Sequence, residues 1–146
     1  MELEVKIKKL VNEAVIPQNA TDGSAGLDLV ATDYCYDSTY DNHVYGTGIA
    51  VEIPKGFVGL VFPRSSNCKT DSYLTNSVGV IDSDYRGEIK AKFKNRDKKL
   101  LNVEPYNIGE RIAQLVIIEC PKIKFVETDT LSETKRGANG YGSTGK

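Results

Sequence analysis

"GVIDSDYRGEIKAKFKN", residues 79–95, changes chemistry at every second position along its latter half. In an extended chain, Ile89, Ala91 and Phe93 fall on one face and Lys90, Lys92 and Lys94 on the other. Period two marks a strand with one buried face, because successive side chains leave the pleat on opposite sides. The first half also reads as a strand. Val78 and Val80 share parity with Asp82, a tight turn at Ser83-Asp84 follows, and Tyr85, Arg86 and Gly87 lead into the lysine-rich strand. The pattern predicts a β-hairpin with Asp82 where strand meets turn.

The same period extends outward. Leu3, Val5 and Ile7 alternate with Glu2, Glu4, Lys6 and Lys8. "GFVGLVF" (56–62) reads as a strand, and "RIAQLVIIE" (111–119), just before Pro121, as a buried one. Glycine, proline and Asn/Asp clusters punctuate these runs. No amphipathic helix of three turns is visible. The one helix candidate is short and opens at "PRSSN" (63–67), where a serine can cap the first turn. Many short strands separated by turn signals predict an all-β sandwich, jelly roll or barrel. Residues 1–121 read as one all-β domain. Residues 122–135, "KIKFVETDTLSETK", read as an extended arm, and 136–146, "RGANGYGSTGK", as a glycine-rich end.

Composition narrows the partners. At 146 residues the chain buries a real core. A formal charge of −1 supplies no global basic field, so nucleic acid is not an expected partner. A small anion needs only a few local cations and amides. The start, "MELEVKIKKL", is charged at every second residue and does not read as a signal peptide. No apolar run reaches membrane-spanning length, so no membrane is expected. Cys35, Cys68 and Cys120 are far apart with no C-x-x-C, which favours reduced thiols in an intracellular, cytoplasmic setting over a disulfide framework or zinc site.

Several residues have two readings. His43, in the polar stretch "YDNHVYG", is expected to be an ordinary surface residue. Asp82 either holds and deprotonates a water or simply closes an Asx-type turn. Arg64, Ser65 and Ser66 form either an anion site or a plain capped turn. Asp28 in "AGLDL" and Gln114 in "GERIAQL" sit among apolar residues, where a polar group needs a partner.

Taken in order, these stretches resemble the trimeric dUTPase family. The motifs are "AGLDLVAT" (25–32), "PRSS" (63–66), "NSVGVIDSDYRGE" (76–88), "GERIAQL" (109–115) and "RGANGYGSTG" (136–145). The resemblance implies a distorted jelly-roll subunit and a homotrimer with sites between subunits. It also implies Mg²⁺-assisted hydrolysis of dUTP to dUMP and pyrophosphate, which limits uracil in DNA and supplies dUMP for dTMP synthesis. By position, Asp82 corresponds to the residue that orients the attacking water. Asn76 and the backbone near Val80 and Ile81 correspond to the uracil and sugar readers. Tyr85 corresponds to the ring under the deoxyribose that excludes a 2′-hydroxyl. Arg64, Ser65, Ser66 and Gln114 correspond to phosphate contacts. Asp28 corresponds to a residue that acts indirectly, through water on Mg²⁺. Lys90 either touches substrate or is a solvated strand lysine. In the tail, by the same resemblance, Arg136 corresponds to the residue that grips the γ-phosphate, Ser143 and Thr144 to its donors, Gly142 to a close backbone approach, and Tyr141 to the ring that stacks on uracil. The family pattern has glycine where Asn139 stands and phenylalanine where Tyr141 stands. Two relatives of the same fold are the alternatives: a dCTP deaminase, alone or bifunctional, and a dUTP-binding regulator. A structural jelly-roll protein is the remaining contrast.

Overall fold

Strands dominate residues 2–142, the part of the chain that the computed structural model describes. In chain order they are β1 (Lys6–Lys9), β2 (Leu27–Val30), β3 (Asp33–Asp37), β4 (Asn42–Gly46), β5 (Ile49–Glu52), β6 (Phe57–Pro63), β7 (Ser72–Leu74), β8 (Gly79–Ile81), β9 (Lys90–Asn95) and β10 (Arg111–Glu119). They pair antiparallel into two four-stranded sheets, ordered β2-β10-β6-β8 and β3-β4-β9-β7, plus a ribbon β1-β5. This is the all-β, jelly-roll-like architecture expected from the periodicity and the resemblance.

Alternation sorts the side chains as it should. On β9, Ala91 and Phe93 are buried while Lys90 and Lys92 are exposed. One core cluster draws on every layer: Leu29, Val61 and Leu115 from the first sheet, Tyr45, Leu74 and Phe93 from the second, Ile49 and Val51 from the ribbon. Burial of each large apolar side chain stabilises by about 1.5–3 kcal/mol. The buried Tyr45 hydroxyl donates to the Tyr106 carbonyl at 2.8 Å and accepts from the Tyr106 amide at 3.1 Å. Two of its hydrogen-bonding capacities are thus met inside the core. No helix among the described residues is long and apolar enough to cross a membrane.

The expected hairpin is absent. β8 pairs with β6, and β9 pairs with β4 and β7, so the Asp82 turn carries the chain from one sheet to the other. The turn itself is real, closed by Tyr85 N–H donating to the Asp82 carbonyl at 3.1 Å. Its crossing has a physical reason. Ile81 packs on the core from one layer, while Ala91 and Phe93 pack from the other, and a local ladder would put all three on one sheet.

His43 also departs from expectation. It is buried on β4, a strand buried along its whole length. Its Nδ1 meets the Tyr34 hydroxyl at 3.1 Å and its Nε2 lies 3.4 Å from Asn95 Nδ2. Asn42, beside it, accepts from Thr75 Oγ1 at 2.8 Å. Partners on flanking elements make a central strand out of letters that look turn-like. Burial pushes the His43 pKa below its ordinary value, with the Leu101 backbone and Glu104 opposing.

The helix at "PRSSN" is a single 3₁₀ segment, Ser65–Lys69. Arg64, not a serine, occupies its N-cap, and no side chain caps it. At the other end of the chain, residues 120–142 are exposed and contain no helix or strand.

Candidate active site

Strand register places the chemistry. β8 ends at Ile81, opposite Gly59 of β6, and Asp82 follows at the rim of the sheet. Its carboxylate is exposed and has no hydrogen-bond partner among the described residues. Asx turns elsewhere in the chain look different: Asp37 Oδ1 accepts Thr39 N–H at 3.0 Å, and Asp97 Oδ1 accepts Lys99 N–H at 2.8 Å. The Asp82 side chain makes no such bond among the described residues, although its main-chain carbonyl closes the turn.

A groove of about 580 Å³ gathers Val80, Ile81, Asp82, Tyr85, Glu88, Lys90 and Lys92. Val80 is 61% exposed, an unusual position for a strand valine, and it presents an apolar face to this groove. Tyr85 folds back over Gly87, and its hydroxyl donates to the Glu88 carbonyl at 3.1 Å. A Cβ at Gly87 would lie 2.6 Å from Tyr85 Cζ, so a larger residue there must displace the ring. Asn76 precedes β8 in a tight bend where Val78 N–H donates to the Asn76 carbonyl at 2.6 Å and Ser77 takes a positive φ of 62°. Lys90, half-exposed, pairs with Glu88 at 3.4 Å.

A second group forms where β10 lies between β2 and β6. Gln114 sits opposite Asp28 on one side and Phe62 on the other. Its amide donates to the Pro63 carbonyl at 3.0 Å. Arg64, just past β6, donates through Nε to Asp28 Oδ1 at 2.7 Å and through Nη1 to Ser66 Oγ at 3.3 Å. Arg111 Nη1 donates to Asp28 Oδ2 at 3.2 Å. Ser65 is exposed on the same segment. Asp28 is therefore first a clamp for two guanidinium groups. Arg111 was not singled out from sequence, and neither was Glu88, although both lie inside quoted motifs; nothing local marks either one.

The two groups lie at opposite ends of β6. Asp82 follows the residue facing Gly59, while Arg64 follows Pro63. Asp82 thus faces the level of Val58, six residues from Arg64, and at about 3.3 Å per residue the gap is roughly 20 Å. The tail is apart from both. Arg136 and Tyr141 are exposed, Tyr141 fully, and a positive φ falls at Gly137, Tyr141 and Gly142. Tyr141 is the one non-glycine residue of the described tail in the left-handed region, and Asn139 is not in it. Ser143 and Thr144 lie outside the described residues.

The family model described as dUTPase matches residues 12–145. The chain belongs to the dUTPase family. Among curated relatives, the chain is 43% identical to the deoxyuridine 5′-triphosphate nucleotidohydrolase of Corynebacterium glutamicum, covering 97% of this chain and 95% of that one. It is 40% identical to the protein of the same name from Hydrogenobaculum sp., covering 98% and 99%. Among solved structures, it resembles a mutant dUTPase of Staphylococcus bacteriophage 80alpha with dUpNHpp, at a TM-score of 0.81 and 26% identity, covering 98% and 99%. A dUTPase of phage phi11 of S. aureus shares the fold at a TM-score of 0.72 and 23% identity, covering 88% and 98%; that structure describes a structural Mg(II) ion. The matched stretch includes residues 76–88 and Asp82.

Proposed function

We propose that the protein hydrolyses dUTP to dUMP and pyrophosphate, with Asp82 orienting the water that attacks the α-phosphorus. The observation that carries this reading is the Asp82 carboxylate, unpartnered among the described residues, at the rim of a groove lined by Val80, Ile81, Tyr85 and Lys90. Uracil and deoxyribose occupy that groove, with Asn76 and the backbone at Val80 and Ile81 reading the base. Tyr85 lies under the sugar and leaves no room for a 2′-hydroxyl. The activity keeps uracil out of DNA and supplies dUMP for dTMP synthesis. Three exposed, unpaired cysteines support a reducing, cytoplasmic setting.

The gap of roughly 20 Å along β6 supports an assembly with shared sites. One chain cannot place Asp82 and Arg64 on the same short phosphate chain. A homotrimer lets Arg64, Ser65, Ser66 and Gln114 of one copy meet Asp82 of another. The arm supports the same reading, since Ile123, Phe125, Val126 and Leu131 are all strongly exposed on a lone copy. Residues 1–121 form the domain, 122–135 reach a neighbour, and 136–146 close over the site. There Arg136, Gly142, Ser143 and Thr144 meet the γ-phosphate and Tyr141 stacks on the base.

The donor set suits Mg²⁺ held mainly by substrate. Among the described residues no group of three or more His, Cys, Asp or Glu could hold a metal ion. Asp28 is the residue that would meet the ion's water shell. A carboxylate offers about four acceptor sites, which leaves room for a water beside the three guanidinium contacts here. When bound, Mg²⁺ neutralises charge on the triphosphate.

Pyrophosphate release from dUTP, dCTP and UTP with Mg²⁺ tests the function. Release from dUTP alone is expected. Ammonia from dCTP, or dUTP binding without turnover, would replace this reading with a deaminase or a regulator.

A further inference from the structure

Three contacts pass through Glu88, a groove-lining residue with no role above. Its Oε1 accepts the backbone N–H of Gly48 at 2.9 Å. Its Oε2 lies 3.4 Å from Lys90 Nζ. Its main-chain carbonyl accepts the Tyr85 hydroxyl at 3.1 Å. The anchor at Gly48 is rigid. Gly48 is buried between β4 and β5, takes a φ of +66° that favours glycine, and packs beside Val11, Ala14 and Thr32. The adjacent backbone is tied as well, by Ile89 N–H to the Ile49 carbonyl at 3.0 Å and by Thr47 Oγ1 to the Ile89 carbonyl at 2.6 Å.

Tyr85, by contrast, has little else to hold it. It is 44% exposed, so packing alone does not fix its ring. The ring hangs by its hydroxyl from the Glu88 carbonyl, and where that carbonyl points depends on the start of β9. We propose that Glu88 is a positioning residue for sugar selection, tying the start of β9 to the β4–β5 turn and so fixing the Tyr85 ring and the Lys90 cation. The inference rests on reading Tyr85 as the group that excludes ribose. Of the two carboxylate contacts, the one to Gly48 carries more. Its donor is buried and its acceptor charged, whereas a half-exposed lysine pair is screened by water.

The test measures kcat/KM for dUTP and UTP in the full-length wild type and in Glu88→Gln, Glu88→Ala, Tyr85→Phe and Tyr85→Ala. Glu88→Gln keeps an oxygen for Gly48 N–H, and Glu88→Ala does not. The dUTP:UTP ratio should fall on the order of tenfold in Glu88→Ala, the scale of one charge-assisted bond. Glu88→Gln should stay within about threefold of wild type, since only the screened lysine pair is lost. An unchanged ratio in Glu88→Ala, an equal loss for both nucleotides, or equal damage from Gln and Ala would overturn the proposal. Should Glu88→Ala fail to fold, Tyr85→Phe decides: it keeps the ring, cuts its bond to Glu88, and must also lower the ratio. An unchanged ratio in Tyr85→Ala would instead refute the underlying reading of Tyr85.

Discussion

Asp82 and Asp97 each open a turn, and they differ in one bond. The Asp97 carboxylate takes the amide of Lys99, while that of Asp82 takes none among the described residues. A carboxylate with open lone pairs can order a water, and positioned proton acceptors contribute about 10²- to 10⁴-fold to rate. Asp82→Asn should therefore lower kcat by at least about a hundredfold and leave affinity for dUpNHpp nearly unchanged. Steady-state kinetics beside calorimetric titration checks both halves, and near-normal turnover would move the chemistry elsewhere. Gly87 offers a second handle. A methyl there would collide with the Tyr85 ring, which is anchored at its far end. Gly87→Ala should push the ring from its seat and raise UTP turnover relative to dUTP, measurable in one competitive assay. Sequence placed Asp82 at a turn through the parity of Val78 and Val80. It could not say whether the carboxylate was engaged, because engagement is a matter of neighbours in space. Asp28 makes the same point: its partner Arg64 is 36 positions away and arrives only through the β2-β10-β6 register.

At the level of elements, β6, β9 and β10 were legible because each is an uninterrupted run with a buried face. β4 was not. Asn42 and His43 look like loop letters until Thr75, Tyr34 and Asn95 are placed beside them. The β8–β9 hairpin was misread for a related reason: turn residues announce that the chain reverses, but not which strands it will pair with. Burial of His43 has a measurable consequence. Its folded pKa lies below the ordinary value of 6.5, so between the two values the unfolded chain binds the extra proton. The neutral ring's contribution is fully present above about pH 6.5 and is lost as pH falls through the lower folded value. Thermal melts at pH 7 and pH 5 should show a Tm drop that shrinks in His43→Asn; an identical drop would exclude His43 as its source. In the facing layers, Phe93→Ala removes a fully buried ring and should destabilise by about 3–5 kcal/mol in chemical denaturation.

For the whole molecule, assembly and closure should separate cleanly. Removing residues 136–146 deletes Arg136 and Tyr141 but spares the arm's apolar residues. That protein should sediment as the full-length protein does, as a trimer if the proposed assembly is right, and turn over dUTP about 10- to 150-fold more slowly at saturating substrate, the range for losing one charge-assisted phosphate contact. Equal rates would make the glycine-rich end a bystander. Removing residues 122–146 also takes away Ile123, Phe125, Val126 and Leu131, all exposed on a lone chain. Sedimentation of that shorter form should show loss of the proposed trimer, and an assembly of unchanged size would place the interface elsewhere. The crossing of the Asp82 turn between sheets adds one more consequence. Asp82 is fastened to one slab of the sandwich, and Lys90 to the other, so the groove between them works as a gauge of slab spacing. Directed evolution for thermostability that swells or thins the interior, far from any nucleotide, would reset that gauge. Variants selected only for heat resistance should therefore drift in catalytic rate even when every residue lining the groove is untouched.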